Sequence, residues 1–219
     1  MTRFYQRKKS AVTILSVLLI ASTSFVFYFA AKWLGPDTGY LAGFVFYWIF
    51  WCTLVPVLFC KLPVRAFFKR GVPLFRKQYR WIIILFLATI IVPFFSHFLP
   101  GLTTKSWLLI ALSVPLACIH GFFEEIFWRG MFIKVFPKEF IWAVIIPSVF
   151  FALWHVAPQF AIAGNSPWLF IATTLPLGLI YGAVAYLTGS ARISAIGHSI
   201  SGIFSFSGLL APALYQILT

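Results

Sequence analysis

Seven stretches of the chain are almost wholly apolar, at residues 11–31, 40–60, 81–99, 107–127, 141–156, 168–187 and 193–218. Polar and charged residues gather between them. A helix needs about 20 apolar residues to cross ~30 Å of hydrocarbon, and most of these stretches are close to that length. The pattern predicts an all-α fold: a polytopic integral membrane bundle of about seven (six to eight) transmembrane helices enclosing a polar cavity. The first stretch follows a basic N-terminus, as a secretory signal does, but its length makes it an uncleaved span. The last is long and contains Pro212, so a break or a tilt is expected there. Gly178-x-x-x-Gly182 allows close helix approach in the sixth stretch. No repeat, heptad or low-complexity segment divides the chain, so residues 1–219 read as one membrane domain. Within it, 1–106 holds the first spans and a basic loop, and 107–208 holds the chemistry.

Composition sharpens this picture. The chain is 62% apolar, 20% aromatic and only 10% charged, with a mean hydropathy of +0.97. A water-soluble domain carries about a quarter charged residues. The net charge of +13 would suggest nucleic acid in a soluble protein, but its placement argues against such a partner. Of the 17 Lys and Arg residues, all but Lys32 and Lys105 lie at the N-terminus, in 61–80, in 129–139 or at Arg192. With seven spans these positions share one face, which the positive-inside rule makes cytoplasmic, with the N-terminus on it. Segment 61–80 mixes its basic residues with Phe67, Phe68, Phe75 and Tyr79. It reads either as a positive-inside loop with aromatic anchors or as an interfacial element on anionic headgroups. Cys52, Cys60 and Cys118 are odd in number and form no CxxC, so no disulfide framework is indicated.

The informative residues are ionisable ones inside apolar sequence. Each costs at least ~2.5–3.5 kcal/mol near a helix centre, so such residues usually face a polar cavity or perform a function. Only four acidic residues exist, and Glu124 and Glu125 are adjacent in HGFFEEIFWRG. Glu125 and Arg129 are four apart, in the favourable acid-before-base order, and Arg129 is near enough to the inner end to snorkel. Glu124 is rotated by about 100° from Glu125 and shares a face with His120. Glu125 is therefore expected to pair with Arg129, and Glu124 to point into a cavity as a general base or acid. His155 closes the fifth stretch and His198 lies early in the last. The span ends leave a tension: Glu124 falls near the inner end of the fourth, whereas His155 lies ~20 Å from that surface. They meet only if the fourth helix runs deeper or the fifth is broken near Pro147.

Two chemistries suit Glu and His residues placed in this way. In one, Glu124 activates a water and histidines donate to the oxyanion formed at an attacked carbonyl. In the other, Glu124, His155 and His198 ligate a divalent metal ion. The chain has no HExxH, and spacing does not choose between no cofactor and a metal. A serine or cysteine nucleophile is less apt, because there is no G-x-S-x-G and Cys118 has no distinctive base beside it.

These residues resemble the CPBP family, the CAAX proteases and bacteriocin-processing enzymes also called Abi. Glu124, Glu125 and Arg129 match its Glu-Glu-x-x-x-Arg motif, with Gly130 following; Phe151 and His155 match Phe-x-x-x-His. His198 matches the third motif, but Gly202 stands four residues later where the family has Asn or another small polar residue. The resemblance covers about half the chain. It implies an intramembrane endopeptidase in which Glu124 activates water, His155 assists and His198 lies near the oxyanion. Glu125, Arg129 and His120 would support them, and Ser201 or Asn165 would replace the missing polar group. The substrate would be a membrane-associated peptide or lipidated protein in a phospholipid bilayer, expected to be a bacterial plasma membrane. The alternatives are acyl-transfer or amide chemistry on a lipoprotein or lipid, and a non-catalytic immunity or scaffold protein.

Overall fold

The computed structural model describes residues 2–164, 166–208 and 210–219. The described residues contain helices and no strand. Among the described residues, six helices are long and apolar enough to cross a membrane: α1 (Gln6–Leu34), α2 (Pro36–Cys60), α3 (Lys77–Thr104), α4 (Trp107–Val135), α5 (Ile141–Phe160) and α6 (Pro167–Thr188). The seventh apolar stretch is not one span. It is divided into α7 (Arg192–Ser205) and α8 (Ala211–Leu218), with Pro212 in the first turn of α8, where a missing N–H costs nothing.

Many large apolar side chains face outward, among them Leu18, Phe25, Ile84 and Val92. That distribution suits lipid and marks an integral membrane protein. Lipid tails are as apolar as leucine, so packing and hydrogen bonds must hold these helices together. Both are present. The indole of Trp51 donates to Ser22 Oγ at 2.8 Å and that of Trp154 to Thr23 Oγ1 at 3.2 Å, which ties α2 and α5 to α1. Gly35 takes φ 85°, so one residue suffices to reverse the chain between α1 and α2. Gly39 then lies so close to the Ala31 backbone that a Cβ has no room. In α6, Gly178 faces Ser148 and Phe151, and Gly182 faces Val144 and Ser148. The small-residue stripe thus seats α6 on α5.

Segment 61–76 folds onto the bundle rather than lying free. Phe67 is fully buried, its carbonyl accepts from Ala191 N at 3.0 Å, and Val72 N donates to Thr188 O at 2.9 Å. Phe68 stacks on Phe122 with ring centroids 4.6 Å apart. Helix α4 continues past the apolar stretch to Val135, with wide π-type turns over Ile126–Met131. The fourth helix therefore runs deeper than the sequence pattern suggests, and Glu124 lies well inside it.

Candidate active site

The site is built around a carboxylate with no exposed surface. Glu124 is 0% exposed, and Tyr47 of α2 donates to its Oε1 at 2.8 Å. The Tyr47 hydroxyl itself accepts from Trp128 Nε1 at 2.6 Å, which commits its own proton to Glu124. Tyr47 is held flat against Trp154, with ring centroids 4.0 Å apart. The second carboxylate oxygen, Oε2, lies 3.1 Å from His120 Nε2 and 3.6 Å from His198 Nε2. Tyr47 thus fixes one oxygen and leaves the other to two imidazoles.

The histidines differ in what they offer. Trp48 Nε1 donates to His120 Nδ1 at 3.2 Å. An indole N–H can only donate, so Nδ1 must accept, and the proton of a neutral His120 sits on Nε2, toward Glu124. His155 Nδ1 meets the Phe151 carbonyl at 2.7 Å and His198 Nδ1 meets Glu125 Oε1 at 3.2 Å. Carbonyl and carboxylate oxygens only accept, so His155 keeps a proton on Nδ1 and presents Nε2 as an acceptor when neutral, whereas His198 faces a carboxylate oxygen with each nitrogen and donates to both only when doubly protonated. His198 is therefore suspended between the two glutamates, by Nδ1 to Glu125 and by Nε2 to Glu124.

Behind His198, Arg129 Nη1 lies 3.2 Å from Glu125 Oε1, and Arg129 Nη2 donates to Gly178 O at 3.3 Å. The guanidinium also sits 4.4 Å from the Phe151 ring centroid. Arg129 does not snorkel; it is 1% exposed, because α4 carries it into the interior. One of two buried carboxylates is thus offset by a buried cation, and a proton on a contacting histidine can offset the other.

A cavity of about 370 Å³ lies beside this cluster. His120, His155, His198, Ser201 and Gly202 line it, together with Phe44, Phe151, Trp154, Tyr181 and Phe206. Glu124 is not among the lining residues, contrary to the expectation that it points into the cavity. Its Oε2 lies 3.1 and 3.6 Å from the Nε2 atoms of His120 and His198, which do line the cavity. At Gly202, a Cβ would stand 3.0 Å from the Ala117 Cβ, so this position packs α7 against α4. Ser201 is 8% exposed. Asn165 lies outside the described residues.

His120, Glu124 and His198 bring their ligand atoms within 4.8 Å of one another, a spacing that can hold a metal ion. Among the described residues this group contains His120 where the sequence reading had His155. The donor set imposes a condition, since the bond from Trp48 places the His120 proton on the nitrogen a metal would need. His120 can ligate only if that bond is given up.

Tyr47 and Trp48 were missed by the sequence reading. Both are aromatic residues in a stretch rich in aromatics, and nothing in their spacing marks Tyr47 as the partner of a carboxylate 77 residues away or Trp48 as the partner of a histidine 72 residues away. Residues 104–204 match the family model described as Type II CAAX prenyl endopeptidase Rce1-like. No curated protein and no solved structure matches the chain.

Proposed function

We propose that Glu124 and its histidines hydrolyse a peptide bond in a membrane-associated peptide or lipidated protein, a reading supported by the match of residues 104–204 to the model of the Rce1-like type II CAAX prenyl endopeptidases, which are membrane proteases. The whole chain serves this site as one domain, with α2 contributing as directly as the matched segment. The observation that carries the reading is the asymmetry of the Glu124 carboxylate. Oε1 is tied to Tyr47, and Oε2 faces two ring nitrogens at the edge of a cavity.

A water beside Oε2 loses its proton to Glu124 as its oxygen adds to the scissile carbonyl carbon. The negative charge that develops on the carbonyl oxygen is met by the Nε2–H of His120, and by His198 when it carries a second proton. The proton taken by Glu124 passes to the leaving nitrogen through a cavity histidine, His155 or His198, as the C–N bond breaks. The products are a carboxylic acid and an amine, and transfer of the acid's proton leaves them as a carboxylate and an ammonium. Glu125 and Arg129 hold His198 in place and take no proton themselves.

Glu124→Gln keeps the shape and the bond to Tyr47 but removes the base. It is expected to lower cleavage by about 10²–10⁴-fold, the usual span for a general base, at unchanged abundance of folded protein. Intact masses of membrane peptides and lipoproteins, compared between cells carrying the parent and the variant, give the readout. New termini that depend on Glu124 are expected. Normal processing by the variant would refute the assignment, and an acyl-sized mass change with intact termini would replace hydrolysis by acyl transfer.

A further inference from the structure

The ends of the six long helices define two faces of the bundle. One holds the start of α1, the α2–α3 and α4–α5 connections and the turn after α6. Contacts join these pieces: Lys9 Nζ lies 2.7 Å from Glu139 Oε2, Lys134 Nζ donates to Gly189 O at 3.5 Å, and Ala191 N donates to Phe67 O at 3.0 Å. Of the basic residues in the connections and at the helix ends, all except Lys32 and Lys105 belong to this face. The opposite face holds the α1–α2, α3–α4 and α5–α6 connections. Trp33, Trp107 and Trp168 ring it at 73%, 72% and 77% exposure, as an aromatic belt does at a membrane–water boundary.

The cavity is not placed evenly between these faces. Its buried lining includes His120, His155, Tyr181, Ser201 and Gly202. Its exposed rim is Ile162, Gly164, Ser166 and Gly208, that is, the α5–α6 connection and the turn after α7. No residue of 61–80, 134–140 or 189–192, the pieces of the basic face, lines it. Among the described residues its lining also contains no Lys, Arg, Asp or Glu.

From these two observations we propose that the site is served from the non-cytoplasmic side, and that its substrate is an uncharged apolar peptide or lipopeptide segment held in the leaflet opposite the basic face. The positive-inside rule makes the basic face cytoplasmic. The rim lies at the level of Trp168, in the opposite interface, where a chain anchored in that leaflet meets it without crossing the bilayer. An uncharged, aromatic-lined cavity of about 370 Å³ receives a few apolar side chains or a short lipid segment and repels a charged one. The chemistry rests on the hydrolytic reading above; the sidedness does not.

The test uses the full chain in intact cells, with single cysteines introduced by Ser166→Cys and Lys105→Cys on the rim face, and by Lys69→Cys and Lys138→Cys on the basic face. A membrane-impermeant maleimide is expected to label the first pair in intact cells and the second only after lysis, with the parent chain as background. Labelling of Lys69→Cys and Lys138→Cys in intact cells, with the other pair protected until lysis, overturns the proposal. This outcome is independent of catalysis, so it separates an error of sidedness from an error about Glu124. A second arm uses a bulky impermeant maleimide on Ser166→Cys. Externally added reagent is expected to reduce substrate processing at least tenfold, and unchanged processing by the fully labelled protein rules out the rim as the route.

Discussion

At the residue scale the decisive contacts are those that assign protons. Trp48 sets His120 as a donor toward Glu124, Phe151 holds the Nδ1 proton of His155, and His198 spans Glu125 and Glu124 with its two nitrogens. Three histidines that look alike in sequence thus hold different offices. Trp48→Phe keeps the ring and removes only the N–H, so the His120 proton is free to move to Nδ1 and expose an Nε2 lone pair. One hydrogen bond is worth about 0.5–1.5 kcal/mol, so zinc binding to purified protein is expected to tighten roughly two- to tenfold in the variant. Calorimetric titration reads this directly; equal affinities would show that the indole does not govern the ring. The glutamates, Arg129 and the histidines were legible because an ionisable group in apolar sequence is costly and therefore conspicuous. Tyr47 and Trp48 were not, because an aromatic hydroxyl or indole inside a span is equally at home facing a neighbouring helix.

At the scale of the elements, the apolar stretches announced the six long helices but misplaced some of their ends. Hydropathy reports where lipid would be tolerated. Helix α4 runs on to Val135 because its last turns are covered by protein, with Phe127, Trp128, Met131 and Phe132 all buried. The seventh stretch is as apolar as the rest, yet it divides into α7 and α8, and Pro212 marks the restart. Helix approach was legible in the Gly178 and Gly182 spacing, and what it positions is now visible. The Gly178 carbonyl holds Arg129, and its missing side chain lets α6 sit on Ser148 and Phe151, where a Cβ would already stand 3.1 and 3.2 Å from their atoms. Gly178→Leu is expected to cost about 1–3 kcal/mol by overpacking this contact. Thermal unfolding in detergent should fall by several degrees, and an unchanged midpoint would mean that α6 is free to move away from α5.

At the scale of the whole molecule, the site does not stop where the family resemblance stops. The matched segment begins at residue 104, yet the closest hydrogen bond to the Glu124 carboxylate comes from Tyr47 on α2. Helix α2 is itself held through Trp51 to α1, so the first two spans form a wall that fixes the Glu124 carboxylate. Tyr47→Phe removes the bond to Oε1 while keeping the ring stacked on Trp154. A carboxylate freed on that side can rotate, and a misplacement of about 1 Å at a reacting group can cost 10²-fold in rate. The expected result is a fall in kcat of roughly ten- to hundredfold with KM changed less than about threefold, because Tyr47 lies behind Glu124 and does not line the cavity. Normal kcat in Tyr47→Phe would mean that α2 only packs against the catalytic helices. A proportionate rise in KM would instead place the hydroxyl in contact with substrate. A fall in kcat alone makes the first two spans part of the working site, and the chemistry then belongs to the whole bundle.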